Sequence, residues 1–362
     1  MPRLDSFGCD AAVLAAFAPL SSGSFVLGRV VEERREACLV ALEAHDLLCS
    51  VSGRLRHEAV DRLDVPVVGD WLVVAAPPPG TVGRGVIHAV LPRRSVLVRK
   101  EVGRTGSVQP VAANVDVVLI ATSANADFSE ARLERYAALA WESGAQPVVC
   151  LTKLDLADAD AAAAFVARAA TACPGAPVVA VSAVTGAGLE ALAPHLAPGR
   201  TAALVGSSGV GKSTLVNRLL GTEAQRVLAI RERDATGVHT TTSRRLLRLP
   251  TGALLVDTPG MREVGLTGDD GGVETTFADV EELALSCRFR DCAHASEPGC
   301  AVHGAVADGT LDPRRLASYE KLRREAAFIA RKNDPAAMSA ARKEWKKRHL
   351  SAVQLRRLRG ER

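Results

Sequence analysis

The stretch "GSSGVGKST", residues 206–214, has the spacing G-x-x-x-x-G-K-[ST], filled by Gly206, Gly211, Lys212 and Ser213. An apolar run, "TAALVG", leads into it and a helical run, "KSTLVNRLLG", follows. A loop of this kind curls so that its backbone N–H groups converge on phosphate oxygens. The start of the following helix adds partial positive charge. Lys212 is then placed to reach β- and γ-phosphates, and Ser213 to offer a hydroxyl to Mg2+. The whole loop is expected to hold a nucleotide's phosphates: Gly206, Ser207, Ser208, Gly209, Val210, Gly211, Lys212, Ser213 and Thr214.

Further along, "VDTPG" (256–260) ends an apolar run. Asp257 is placed to hold Mg2+ through water, and Gly260 to give a backbone N–H to the γ-phosphate. Between the two lies "TGVHTTTSRR" (236–245). Thr240, Thr241 and Thr242 are each candidates to complete the magnesium shell and sense the γ-phosphate.

A base label is present as well. In "LTKLD" (151–155), Asp155 can accept from guanine's N1–H and exocyclic amine. Adenine lacks that donor pair, and sites built to pair a substrate donor reject its analogue. Lys153 would lay its aliphatic stem along the base. "VSAVTG" (181–186) supplies a strand end whose Ser182–Ala183 backbone can meet the base's carbonyl oxygen. The base label precedes the phosphate loop by about fifty residues. Every part of a GTP site is thus present, in rotated order. In a parallel sheet the loops gather at one edge, so joining old termini leaves such a site intact. The rotation also puts the magnesium loop last, next to whatever follows residue 272.

A second constellation is "CRFRDCAHASEPGC", with Cys287, Cys292, His294 and Cys300 spaced C-x4-C-x-H-x5-C. Three thiolates and one imidazole suit a closed tetrahedral zinc site, structural rather than catalytic. His303 is a rival ligand. A metal would supply folding energy to a segment with little apolar pattern.

These motifs need elements to position them. Residues 1–23 read as an arm. Residues 24–100 hold short β-like runs ("FVLGRVVE", "ACLVALE", "LLCSVSG", "DWLVVAA", "GVIHAVL") separated by turns, which fits a five-stranded OB-type barrel. Residues 101–272 alternate strand and helix, the pattern of a mostly parallel α/β sheet. Ser129 is the expected N-cap of a helix over 129–144, and "GLEALAPHL" reads as a short helix. Residues 273–362 read as helical, with "FADVEELALSC" one helix and a long helix starting at Asp312 and Pro313.

Composition agrees. With 362 residues and 48% hydrophobic residues, the chain can build two or three cored domains. No uncharged apolar run approaches the ~20 residues of a membrane span, and the N-terminus is a poor signal peptide. A cytoplasmic protein with reduced thiols is the expectation. From Asp312 onward 16 Lys and Arg face 6 Asp and Glu, leaving 29 against 35 elsewhere. This basic end suits a polyanionic partner.

The combination resembles the circularly permuted, ribosome small-subunit-dependent GTPase family known as RsgA or YjeQ. The likeness covers nearly the whole chain: the barrel, "QPVAANVDVVLIATSA", "TKLD", "SA", "GSSGVGKST", "HTTT", "DTPG", the zinc spacing and the basic end. It implies a factor, working as a monomer, that binds the small ribosomal subunit and its rRNA late in assembly. It also implies GTP hydrolysis to GDP, slow alone and stimulated by the subunit. The resemblance places the zinc ligands on Cys287, Cys292, His294 and Cys300, and the effector-loop threonine within Thr240–Thr242, of which Thr241 is chosen. Met261 follows "DTPG" where many GTPases have a water-positioning glutamine, and His239 is the substitute the family suggests. Thr152 stands where an asparagine often precedes the base lysine, a departure expected to weaken the bracing of the loop. Two other readings are an RNA-binding module with a vestigial nucleotide site and a metabolic P-loop kinase. The complete set Lys212, Ser213, Asp257 and Asp155 argues against the first, and the zinc spacing and base motifs against the second.

Overall fold

The computed structural model describes residues 3–21, 24–59, 62–78, 80–100, 108–221, 244–257, 271–295 and 297–333. Five strands near the N-terminus close on themselves: β1 (Phe25–Glu33), β2 (Cys38–Ala41), β3 (Asp46–Val51), β4 (Trp71–Ala75) and β5 (Gly85–Val90). β1 pairs antiparallel with both β2 and β4, and β3 runs parallel to β5. That connectivity is an OB-type barrel. Its inside is apolar because strand residues alternate faces, which turns Val30, Val40, Leu72, Val74 and Ile87 fully inward. Helix α1 (Ala11–Phe17), capped by Asp10, belongs to the arm before the barrel, and α2 (Gly53–Glu58), capped by Ser52, follows β3.

β6 (Val96–Lys100) and β7 (Val108–Ala113) form a separate hairpin that straddles the boundary expected at residue 100. Beyond it come β8 (Val117–Ser123), β9 (Gln146–Thr152), β10 (Val178–Ala180), β11 (Thr201–Gly206), β12 (Arg244–Arg248) and β13 (Leu254–Asp257). Their order in the sheet is β10-β9-β8-β11-β13-β12, all parallel except β12. β8 and β11 are buried along their whole length, as central parallel strands must be when both faces are covered. Helices α3 (Glu130–Glu142), α4 (Ala159–Ala172) and α5 (residues 212–221) alternate with the strands. Val118, Ile120 and Val205 pack toward α3, while Val117, Leu119 and Leu204 pack toward Leu215 and Leu220 of α5. The strands β8, β9 and β10 precede β11 in the chain yet lie on one side of it. This is the rotated order the motifs implied.

Barrel and α/β sheet are one hydrogen-bonded surface. β12 pairs with β1 through Glu32↔Arg245 and Glu33↔Arg244, and an ion pair of 3.1 Å joins Arg244 to Glu33. Arg29 of β1 stands fully buried at the seam. It donates to Gly69 O (3.1 Å), Asn114 O (3.2 Å), Thr201 Oγ1 (2.9 Å) and the Phe7 carbonyl. Its guanidinium also lies over Trp71, 5.2 Å from the ring centre. Burial lowers its pKa to about 10, which still leaves it charged at neutral pH. A buried charge persists only when its donors are met, so arm, barrel, hairpin and β11 must meet at this point.

Two expected helices differ. "GLEALAPHL" forms only a 3-10 turn over Leu189–Leu192, because Pro194 has no N–H to continue a helix. "FADVEELALSC" gives α7 (Ala278–Ala284), which ends before Cys287 and follows a short α6 (Gly271–Thr276). Ser129 occupies the N-cap position of α3, but its side chain makes no capping bond. The C-terminal part continues with α8 (Ala301–Ala307) and α9 (Pro313–Asn333). Arg315 of α9 is docked on α3: it donates to Glu134 Oε1 (2.9 Å), Thr276 O (2.9 Å) and both Asp279 oxygens (2.6 Å each). Arg135 of α3 pairs with Glu325 of α9 (2.7 Å). Among the described residues no helix is long and apolar enough to cross a membrane.

Candidate nucleotide site and metal centre

β11 delivers the phosphate loop to the C-terminal edge of the sheet. Gly206, Gly209 and Gly211 have φ of 145°, 80° and 94°, conformations that an L side chain disfavours. A Cβ on Gly206 would also stand 2.4 Å from the Ala121 carbonyl oxygen of β8. Lys212, at the start of α5, folds back along the loop. Its Nζ donates to Gly206 O (2.7 Å) and to the Ser207 carbonyl. Val210 is buried, while Ser208, Gly209, Ser213 and Thr214 are exposed at the edge. Asp257 ends β13, one strand away, with Val256 opposite Ala203 of β11. It is exposed at the same edge. His239, Thr240, Thr241, Thr242, Gly260 and Met261 lie outside the described residues.

The base motif leaves β9 beside this loop. Lys153 takes a left-handed conformation (φ 59°), uncommon for a residue with a Cβ. It turns the chain into a 3-10 turn over Leu154–Leu156 that carries Asp155. Ser182 Oγ then donates to Asp155 Oδ1 at 2.5 Å. The same Ser182 oxygen accepts from Thr185 N (3.1 Å), so one buried hydroxyl fixes both the aspartate and the 182–186 loop. Ala183 follows, partly buried.

The expected weakness at Thr152 is not found. Thr152 is buried, and its Oγ1 donates to Val210 O at 2.6 Å, with Thr122 O 3.0 Å away. The hydroxyl therefore ties the end of β9 to the phosphate loop, 58 residues later. A threonine suffices because the carbonyl lies within reach of a Cβ-borne oxygen. Sequence position alone could not show that distance.

The four metal-ligand candidates also converge. The ligand atoms of Cys287, Cys292, His294 and Cys300 lie within 4.8 Å of one another. Cys287 Sγ is 3.7 Å from His294 Nδ1 and 3.9 Å from Cys300 Sγ, and His294 Nδ1 is 3.4 Å from Cys300 Sγ. Tetrahedral zinc with Zn–S of about 2.3 Å needs ligand separations of about 3.8 Å, so the donor set fits. Ala301 N donates to Cys287 Sγ (3.3 Å) and His303 N to Cys300 Sγ (3.5 Å). Both donors are backbone amides of α8. Burial works against the Cys287 thiolate, but amide donation from Ala301 and Val302 still brings its pKa below the ordinary thiol value. Burial, then Arg323, lowers the pKa of His294, favouring the neutral ring a metal requires. His303 lies outside the cluster, with its Nε2 2.8 Å from the carbonyl oxygen of His294. Bonded that way it would brace the left-handed turn at His294 (φ 55°).

A phosphate loop on the central strand, a guanine-type Asp155 turn latched to it, and strands in rotated chain order define a circularly permuted P-loop GTPase. Comparison with known proteins agrees. Residues 90–267 match the RsgA GTPase family model. The chain is 49% identical over 352 residues to the "Small ribosomal subunit biogenesis GTPase RsgA" of Opitutus terrae, covering 95% of each protein. It is 46% identical to the protein of that name from Streptomyces coelicolor, covering 95% of this chain and 92% of that one. Among solved structures, YjeQ from Thermotoga maritima aligns with a TM-score of 0.60 and 28% identity over 83% of this chain and 98% of that one. YloQ, described as a circularly permuted GTPase, aligns with a TM-score of 0.59 and 27% identity, covering 83% and 95%. The chain belongs to the RsgA GTPase family.

Replacing Thr152 by Val removes the latch on Val210 while keeping shape. GDP affinity should fall about fivefold, the value of one hydrogen bond of about 1 kcal/mol, and Thr152→Ser should restore it. Equilibrium titration with fluorescent GDP reads both; equal affinity in Thr152→Val and wild type would contradict the latch. At the metal centre, elemental analysis should find one zinc per chain. Cys300→Ser should lose it and melt at lower temperature, whereas His303→Ala should keep it. Zinc lost from His303→Ala but retained in Cys300→Ser would reverse the ligand assignment.

Proposed function

We propose that the chain is a GTPase that binds the small ribosomal subunit late in its assembly and hydrolyses GTP to GDP and phosphate to time release. The single observation that carries this reading is the latch between base motif and phosphate loop, Thr152 to Val210, with Ser182 holding Asp155. It joins, at one edge, base and phosphate segments whose chain order is rotated, which supports reading them as one guanine-nucleotide site. The relatives' name, small ribosomal subunit biogenesis GTPase, supports the partner.

In this reading Asp155 pairs guanine's N1–H and amine, with Lys153 along the base and the Ser182–Ala183 backbone at its carbonyl. The loop 206–214 cradles the phosphates. Lys212, already bent toward the loop carbonyls, neutralises charge on the β- and γ-oxygens. Ser213, Thr241 and, through water, Asp257 would hold Mg2+, which would supply positive charge beside the phosphate oxygens. His239 orients the attacking water in place of the missing glutamine. Zinc on Cys287, Cys292, His294 and Cys300 is structural. The docking of α9 on α3 through Arg315 gives the C-terminal module a rigid seat beside the nucleotide domain. The basic end from Asp312 onward supplies phosphate contacts to rRNA, so subunit affinity falls as salt rises. The protein works as a cytoplasmic monomer.

The test is GTP turnover alone, with purified small subunits, and with large subunits as control. Release of phosphate should rise at least tenfold with small subunits only. No rise, or phosphate passed to a small-molecule acceptor without release, would overturn the reading.

A further inference from the structure

The loop between β8 and α3 belongs to none of the motifs above, yet it touches the phosphate site. It is fixed from within: Ser123 Oγ donates to Asn125 Oδ1 (2.8 Å), and Asp127 N donates to the same oxygen (3.0 Å). Phe128 anchors it by packing on Phe165, with ring centres 5.1 Å apart, under the guanidinium of Arg168. Asp127 is thereby held against the phosphate loop, where Ser207 Oγ donates to its Oδ2 at 3.0 Å. From α3, Arg132 donates to both carboxylate oxygens (3.1 and 3.3 Å) and to the Asp127 carbonyl (3.1 Å). Donation from Arg132 and then Ser207 keeps this carboxyl below its usual pKa. Ser207 is held at its other end as well, because its carbonyl accepts from Lys212 Nζ.

We propose that Asp127 is a positioning residue of the nucleotide site: it holds Ser207 by the hydroxyl and so fixes the carbonyl that aims Lys212 at the phosphates. This rests on the reading of Lys212 as the phosphate lysine. The bond requires an acceptor at position 127, not a charge. A negative charge beside a phosphate site opposes anion binding, so an amide there should hold Ser207 equally well. Arg132 offsets that charge and orients the carboxylate, from the same helix whose Glu134 and Arg135 seat α9.

The experiment measures GDP affinity and the KM and kcat for GTP in the full-length protein, with thermal melts alongside. Asp127→Ala should weaken GDP binding and raise KM about three- to tenfold, the range of an ordinary net hydrogen bond at an exposed site, with kcat changed less. Ser207→Ala should do the same. The double variant should be no weaker than either single one, since both remove one bond. Asp127→Asn should bind GDP at least as tightly as wild type. Wild-type values in both Asp127→Ala and Ser207→Ala would overturn the proposal, as would losses that multiply in the double variant. Should Asp127→Ala melt early, Ser207→Ala and Asp127→Asn still decide. Lys212→Ala is the control: if it binds GDP as wild type does, the phosphate-site reading itself fails. If only Lys212→Ala loses binding, the positioning role alone fails.

Discussion

The site depends on one ladder, the parallel pairing of β8 with β11. Val117 lies opposite Ala202 and Ala121 opposite Gly206. That register brings the loop after β8, the turn after β9 and the phosphate loop to one edge. It leaves no space for a Cβ at position 206, where the Ala121 carbonyl oxygen would be 2.4 Å away. The first glycine of the phosphate motif thus serves packing between strands as well as curvature of the loop. Strand β9 extends the same edge, because Ser123 of β8 lies opposite Thr152. Thr152 is therefore beside the phosphate loop by register, and its hydroxyl finds Val210.

Cutting a chain and rejoining it elsewhere leaves such an edge unchanged, since neighbours in a parallel sheet are set by register rather than by chain order. What changes is which segments lead out of the domain. Here the strand that ends at Asp257, β13, comes last. The described chain resumes at α6, whose Gly272 lies against the Ala138 carbonyl of α3. The C-terminal helices are then fastened to α3 by Arg315 and Arg135. On the opposite side, β12 continues the sheet into the barrel, and Arg29 bridges the barrel to Thr201, the first residue of β11. The barrel on one side and the C-terminal helices on the other are thus attached to elements that end at the edge of the phosphate loop.

The parts of this arrangement legible in sequence were those with local signatures. Gly206, Gly211 and Lys212 have a fixed spacing, β8 opens with five apolar residues in a row (Val117–Ala121), and the candidate metal ligands fall within fourteen residues. The barrel strands were legible because short apolar runs alternate with turn residues. What could not be read were contacts between residues far apart in the chain. The β1–β12 pairing joins edges some 200 residues apart, and no local pattern marks it. Arg29, Arg315 and Glu134 look like surface charges in a linear reading, and only packing makes them buried. Thr152 reads as a departure from asparagine until its distance to Val210 is known. Asp127 reads as a loop aspartate until Ser207 is seen to donate to it. In the other direction, Pro194 was visible, and its missing N–H explains why a helix read over 188–196 is only a 3-10 turn.

The most direct test of the central claim, that the rotated segments make one guanine-reading site, is base selectivity in Asp155→Asn. An asparagine amide can accept from N1–H and donate to the 2-oxygen of xanthine, but it clashes donor to donor with guanine's amine. Competitive titration of GDP against XDP should show wild type preferring GDP, and the variant preferring XDP by about a hundredfold or more. An unchanged preference for GDP in a variant that still binds nucleotide would contradict the account.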